Sequence, residues 1–395
     1  MCLDFGGDAY EERVEEVVRL VESAGVRRHR VIRGRRQRPD PKFYAGSGKV
    51  EEIKRAAGEL NAMYVVFNHQ LTPAQERNVE REVVRRVMDR TELILEIFAQ
   101  RAQTNEGKLQ VELAQLEHLA TRLVRGWSHL ERQRGGLGKT GGPGETQLEL
   151  DRRYIATKTK TLRRKLADLQ KRRTTQRRAR ARGGVLSVSI VGYTNAGKST
   201  LFNALARAKA YEADQLFATL DTTSRRLFLD GLGNVVLSDT VGFIRDLPTQ
   251  LVAAFRATLD ETVHADLLLH VVDASSPVRH EQIEQVNRVL AEINALDIPQ
   301  IVVMNKIDAA PELMDQGPLI ERDEDGVPTR VFLSAREGLG LDSLREAVVE
   351  LAQWLASRPP EPEPYDPRLG DVPQYDDAGA ADGGDDADAG DSRRP

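Results

Sequence analysis

Hydrophobic positions change their spacing along this chain, and each spacing predicts a different kind of element. From residue 1 to about residue 104, helical and strand-like patterns alternate. "EERVEEVVRLVES" places Val14, Val17, Val18 and Val21 on one helical face. "AMYVVFN" is a short apolar run of strand type. "LTPAQERNVEREVV" predicts a helix with Thr72 as N-cap and Pro73 at its first position. A small α/β domain is expected over residues 1–104.

The spacing then becomes that of a coiled coil. Leu109, Leu113, Leu116, Ala120, Leu123, Trp127 and Leu130 alternate separations of four and three. "RGGLGKTGGPGE" follows, with six glycines in twelve residues, and cannot continue a helix. Leu148, Ile155, Leu162 and Leu169 then recur every seven residues, with Leu166 beside them. The pattern predicts a long antiparallel helical hairpin over 105–182 with a glycine-rich tip at 135–145. The tip is longer than a simple connection needs, so a plain turn and a binding role both stand open.

From 183 to about 357, continuous apolar strands alternate with helices: "VLSVSIV", "NVVLSD", "DLLLHVVD", "QIVVMNKID", "RVFLSA" and a last helix from Asp342. Strands of that type belong to a mostly parallel sheet with helices on both faces. After Ser357, "RPPEPEPYDPRLG" and an Asp/Gly/Ala tract hold too little apolar surface to fold, and a disordered tail is expected over 358–395.

Composition sharpens this picture in three places. The single cysteine, Cys2, excludes an internal disulfide and favours a reducing compartment. The first residues show neither a basic n-region nor an apolar h-region, and no stretch approaches the roughly 18 apolar residues of a membrane helix. A cytoplasmic protein without membrane insertion is therefore expected; a monomer without a DNA partner is expected as well. The net charge of −4 conceals an asymmetry. Residues 360–395 hold eleven acidic and three basic side chains, a net of −8, which leaves +4 on residues 1–359. Residues 152–182 carry fourteen Lys or Arg against the single Asp168, which suggests a basic contact surface. The seven histidines follow no metal-ligand spacing and are expected to be structural.

Candidate chemistry sits in the last folded region. "GYTNAGKS", Gly192 to Ser199, fits GxxxxGK[ST] between a predicted strand and a predicted helix. Gly192 and Gly197 let the backbone of Tyr193, Thr194, Asn195 and Ala196 curl around phosphates, and Thr200 continues into the helix. Lys198 is placed for the β- and γ-phosphates and Ser199 for Mg²⁺. "DTVG" supplies Asp239, Thr240, Val241 and Gly242. Asp239 at a strand end can hold Mg²⁺ through water, and the Gly242 N–H can face the γ-phosphate. "NKID" supplies Asn305, Lys306, Ile307 and Asp308, whose carboxylate accepts from guanine N1–H and the 2-amino group. Adenine offers neither donor, and a site built this way can reject it by about 10⁴–10⁵-fold. "SAR", Ser334, Ala335 and Arg336, ends the next strand with a backbone N–H for guanine O6. Four such motifs in this order predict a GTP/GDP site. A switch threonine must lie between the phosphate loop and "DTVG", where Thr219, Thr222 and Thr223 are the candidates. Phe243 stands where many GTPases keep a water-orienting glutamine, so slow intrinsic hydrolysis is expected. Asn195 offers an amide carbonyl that can hold K⁺ beside the phosphates, with an ordinary loop residue as the alternative.

With these motifs in place, the chain resembles the HflX family of ribosome-associated GTPases over residues 1–357. The resemblance rests on "DRTELILEIFAQRAQTNEGKLQVELAQLEHLATRL", "GGPGETQLELDRRYI", "GYTNAGKSTLFNAL" and "LFATLDTT". It implies a P-loop GTPase domain preceded by a small α/β domain and a helical hairpin. It assigns the switch threonine to "FATLD", so that Thr219 joins Lys198 and Gly242 as catalytic, with Phe217, Ala218, Leu220 and Asp221 beside it. It implies Mg²⁺ as cofactor, the large ribosomal subunit and its RNA as partner, and dissociation of stalled or idle ribosomes as function. The family's "LDPT" is "LDTT" here, with Thr222 at the proline. A GTP-dependent RNA-remodelling nucleotidase and a signalling adaptor remain as alternatives.

Overall fold

The computed structural model describes residues 1–6, 10–133, 143–181, 185–206, 216–217, 220–245, 256–315 and 319–357. The predicted tail and residues 135–142 of the glycine-rich tip lie outside the described residues. So do the side chains of Leu123, Trp127, Leu130 and Leu148 in the predicted heptads.

The N-terminal region forms β1 (Cys2–Asp4), α1 (Tyr10–Ser23), β2 (Arg33–Arg35), α2 (Ser47–Glu59), β3 (Tyr64–Val66), α3 (Pro73–Val83), β4 (Arg86–Met88) and α4 (Arg90–Arg101). β1 pairs with β2 and β3 with β4, both parallel. The Asn68 N–H donates to the Met1 carbonyl at 3.0 Å and links the two pairs. α1 buries Val14, Val17 and Leu20, while Val18 and Val21 are only half-buried, so the stripe centres one step from the expected face. α3 starts at the expected cap: the Thr72 side chain accepts from Gln75 N–H, and the Gln75 side chain accepts from Thr72 N–H. α4 is capped by Asp89, which accepts from Glu92 N–H at 2.9 Å.

Two long helices follow, α5 (Asn105–Gln133) and α6 (Pro143–Ala181). Leu113, Ile155 and Leu162 are buried, as their heptad positions require. α5 has a second buried face, Gln110, Val111, Ala114 and His118, which the heptad does not account for. Along α5, Val111 and Ala114 join the cluster that also holds α4 residues, and Arg122 bonds Asp89 at 2.5 Å and pairs with Glu76. The base of the hairpin is therefore fixed to the N-terminal domain by apolar packing and by charge. Burial holds the Asp89 carboxyl above its usual range and the Arg122 guanidinium below its own.

The remaining region builds β5 (Leu186–Gly192), α7 (Lys198–Ala206), β6 (Thr223–Leu229), β7 (Gly233–Asp239), α8 (Arg256–Val263), β8 (Leu267–Asp273), α9 (Arg279–Glu292), β9 (Gln300–Asn305), α10 (Pro311–Met314), β10 (Ile320–Arg322), β11 (Pro328–Phe332) and α11 (Leu341–Ser357). Its seven-stranded sheet runs β10-β11-β9-β8-β5-β7-β6. The five inner strands are parallel, and β10 and β6 are antiparallel edges. One apolar cluster lies among this sheet, α7 and α11, and includes Leu201, Phe202, Val303, Leu344 and Leu351. Another contains Leu93, Ile94, Ile97 and Phe98 of α4 together with Val191, Val241, Phe243, Leu259 and Val286. The N-terminal domain and the sheet domain thus share a core, and Met1–Leu355 pack as one compact unit. Among the described residues, no helix is long and apolar enough to cross a membrane, and no group of metal-ligand type gathers.

Candidate nucleotide site

The site gathers at the carboxyl ends of β5, β7, β9 and β11, where an open parallel sheet offers loop backbone and helix N-termini to a ligand. β5 ends at Gly192, and α7 begins at Lys198, so the residues between them form a tight loop over a helix N-terminus. Asn195 and Gly197 take left-handed backbone, φ 61° and 92°. At Gly197 a Cβ would run into Nδ2 of Asn305, so the close approach requires glycine as well as the positive φ.

Asn305 staples the site together. Its Nδ2 donates to the Ala196 carbonyl at 2.9 Å, and its Oδ1 accepts from Ala335 N–H at 2.9 Å. The phosphate loop, the "NKID" turn and the "SAR" turn are thereby held at fixed separation by one buried side chain. Lys306 takes φ 66° and its ammonium pairs with Asp273 at 2.7 Å, at the end of β8. Asp308 follows in a single 3₁₀ turn (Ile307–Ala309) and is exposed, while Ile307 is buried in a small apolar cluster. Ser334 is buried and turns the chain through paired backbone bonds with Leu339. Arg336 stays on the surface, 3.8 Å from Glu337.

Lys198 donates to the Tyr193 carbonyl at 2.6 Å. Burial pushes its ammonium down to about 8, with Asp239 opposing the shift, so it is cationic at neutral pH. Ser199 Oγ donates to Asp239 Oδ2 at 2.9 Å, which places two hard oxygen donors side by side at the loop. That donor set suits Mg²⁺, which takes carboxylate, hydroxyl, water and phosphate oxygens. At Gly242 a Cβ would stand 2.7 Å from Thr194 Cγ2 and 3.0 Å from Lys198 Nζ, so glycine keeps this approach open. The buried Thr194 hydroxyl beside it has no hydrogen-bond partner among the described residues. Thr240 donates to the Ile190 carbonyl at 2.6 Å and Val241 is buried, so both side chains serve the fold.

Phe243 has its backbone on the phosphate loop and its ring in the core. Its N–H donates to the Gly192 carbonyl at 3.1 Å, and its carbonyl accepts from Thr194 N–H at 2.7 Å. The ring is 1% exposed and belongs to the cluster shared with α4.

Of the expected switch residues, Ala218 and Thr219 lie outside the described residues. Phe217 and Leu220 are buried in the shared core. Asp221 accepts from the N–H groups of Gln103 and Thr104 at 2.8 and 3.0 Å. Sequence reasoning also missed a buried network behind the loop. Tyr193 Oη accepts from Arg245 N–H at 2.8 Å and donates to Glu16 at 3.3 Å, and Glu16 pairs with Arg90 at 2.6 Å. Burial, with Glu16 beside it, pushes the Tyr193 hydroxyl well above its usual range. No short motif marks these residues, because their partners are 52 to 177 positions away.

A glycine-rich loop on a helix N-terminus, a serine–aspartate pair suited to Mg²⁺ and an asparagine that ties the loop to the "NKID" and "SAR" turns define a P-loop GTPase. Family models agree along the chain. "GTP-binding GTPase N-terminal" matches residues 11–99, "GTP-binding GTPase Middle Region" 101–180, and "50S ribosome-binding GTPase" 187–306. GTPase HflX of Escherichia coli is 54% identical over 362 residues, covering 90% of this chain and 84% of its own. GTPase HflX of Magnetococcus marinus is 48% identical, covering 85% of this chain and 77% of its own. The solved complex of SsGBP with GDP covers 90% of this chain and 98% of its own, at 25% identity and a TM-score of 0.49. The chain belongs to the HflX family of GTPases, and it binds and hydrolyses GTP.

Proposed function

We propose that this protein is a GTP-driven switch that binds the large ribosomal subunit and dissociates stalled or idle ribosomes. Residues 1–104 and the hairpin 105–182 form the docking arm, and residues 183–357 form the GTPase that controls it. The observation that carries the reading is the charge distribution on α6. Lys158, Arg163 and Arg173 pair with Glu112, Glu117 and Glu106 of α5. Arg152, Arg153, Lys160, Arg164, Lys165, Lys171 and Arg172 are exposed instead. A helix that spends part of its charge on its partner and turns the rest outward suits a polyphosphate surface such as ribosomal RNA.

At the nucleotide, Lys198 neutralises the β,γ-oxygens, and the Gly242 N–H meets the γ-phosphate. Asp308 with Ala335 N–H reads guanine. Ser199, with Thr219 and Asp239, would hold Mg²⁺. When bound, the ion would supply charge neutralisation on the phosphates. Asn195, whose amide carbonyl lies in the phosphate loop, would be the residue to hold a K⁺ beside them. The residue after Gly242, Phe243, keeps its ring in the core and cannot orient water, so turnover is slow until the ribosomal subunit completes the site, a gain that in GTPases reaches about 10³–10⁵-fold.

The test is co-sedimentation with purified subunits, comparing a non-hydrolysable GTP analogue with GDP. Large-subunit binding with the analogue alone supports the reading; nucleotide-indifferent binding to naked RNA supports an RNA-remodelling enzyme and overturns it. Binding should weaken steeply with salt, and replacing Arg164, Lys165, Lys171 and Arg172 with glutamine should flatten that dependence. Turnover with subunits in K⁺ and in Na⁺ buffers tests the Asn195 site, and equal rates remove it.

A further inference from the structure

The segment between the phosphate loop and "DTVG" is held on both sides of residues 218–219 by the N-terminal domain and the hairpin base. Before it, Leu216 N–H donates to Oγ of Ser23, the last residue of α1, at 2.9 Å. The Phe217 ring is 2% exposed and meets Phe98 of α4 edge-on, centroids 4.6 Å apart and planes at 81°. Phe217 accepts φ 57° to do so, a left-handed backbone that an aromatic residue adopts only when its surroundings hold it there. After it, Leu220 is 3% exposed in the same core. The Asp221 carboxylate accepts from Gln103 N–H at 2.8 Å, from Thr104 N–H at 3.0 Å and from the Thr104 hydroxyl. That hydroxyl also accepts from Gly107 N–H at 2.9 Å and so caps α5. A carboxylate on these amides is favoured by the positive end of the α5 dipole. Gly107 leaves room for it, because a Cβ there would collide with Asp221 Oδ1.

We propose that Asp221 is a positioning residue for GTP hydrolysis, seated on the first turn of the hairpin helix rather than on the nucleotide. This rests on the reading of residues 217–221 as the switch segment. Phe217 and Leu220 anchor the chain on either side of residues 218–219, and Asp221 ties that anchor to the start of α5, so the N-terminal domain and the hairpin base limit how the switch threonine can approach the phosphates. The same seat makes the first turn of α5 responsive to the nucleotide, since a coupling between two sites acts equally in both directions.

Gly107→Ala supplies the sharpest test, because it leaves Asp221 intact and introduces a better helix former into α5. Asp221→Ala removes the carboxylate directly. Thr104→Ala weakens the seat, and Thr104→Ser restores the hydroxyl. In single-turnover assays without ribosomes, Gly107→Ala and Asp221→Ala are expected to lower the hydrolysis rate about tenfold while GDP affinity stays within twofold. Thr104→Ser is expected to behave as wild type. Hydrogen exchange at the Gln103 and Thr104 amides should differ between GDP and a non-hydrolysable analogue in wild type and be equal in Asp221→Ala. An unchanged rate, or a loss of GDP affinity in parallel with the rate, overturns the proposal. Thr219→Ala is the control: wild-type turnover in that variant refutes the switch assignment itself, independently of Asp221.

Discussion

In the variant Phe243→Gln, an amide enters a position where the native ring is 1% exposed and belongs to the cluster with Val191, Ile244 and Leu259. The backbone of residue 243 is pinned to Gly192 and Thr194 by two hydrogen bonds, 3.1 and 2.7 Å long, so the new side chain inherits the direction of the old one. Loss of the buried ring costs about 1.5–3 kcal/mol of transfer energy. An amide without partners in that core costs about 1–3 kcal/mol more. The sum, roughly 2.5–6 kcal/mol, is a large part of the 5–15 kcal/mol that holds a typical domain folded. Phe243→Leu, which keeps an apolar group of similar reach, should cost nearer 1 kcal/mol. The variant regains the residue type common among GTPases, yet it should hydrolyse GTP no faster. Urea unfolding measures the first effect and single-turnover phosphate release the second. A Phe243→Gln protein of native stability with at least tenfold faster release would show that residue 243 can turn from the core to the phosphates, and would refute the reasoning.

Lys198→Ala should abolish hydrolysis and most triphosphate affinity, because this buried ammonium stands at the phosphate loop; near-normal turnover would contradict that role. Asp308→Asn should weaken GTP binding roughly 10²-fold, at about 1.5–3 kcal/mol for each charge-assisted bond, and reduce discrimination against other bases. Unchanged guanine preference in competition binding would remove Asp308 as base reader. Burial pushes His270, in the central strand β8, down to about 4. The folded protein therefore holds it neutral, and the unfolded chain takes up its proton first, as pH falls below about 6.5. Stability from this group is complete above pH 6.5 and declines toward pH 4, by about 2–3 kcal/mol at pH 4.5. His270→Gln should lose that part of the acid sensitivity, and equal pH profiles for the two proteins would contradict it.

Much of this protein was legible in its sequence because the relevant physics is local. The phosphate loop, the Thr72 cap, the parallel β-strands and the heptads of α5 and α6 depend on neighbours a few residues apart. Each leaves a periodic or motif-like trace. The "NKID" turn was legible for the same reason, since its residues are adjacent at the end of β9.

The tertiary structure decided whatever depends on partners distant in the chain. The sequence could separate an N-terminal domain from a GTPase, but it could not show that Phe98 and Phe217 meet in one shared core. It showed fourteen cations on residues 152–182 without showing that Arg173 is paired with Glu106 and Arg172 is exposed. It marked Phe243 as an absent glutamine, and only the packing explains the choice, because the ring fills the core beneath the phosphate loop. Asp221 is the clearest case. As a residue of "FATLD" it reads as part of the nucleotide site, yet its carboxylate lies on amides 117 and 118 positions away. A hydrogen bond across such a separation leaves no spacing in the sequence, since the fold alone brings its two ends together.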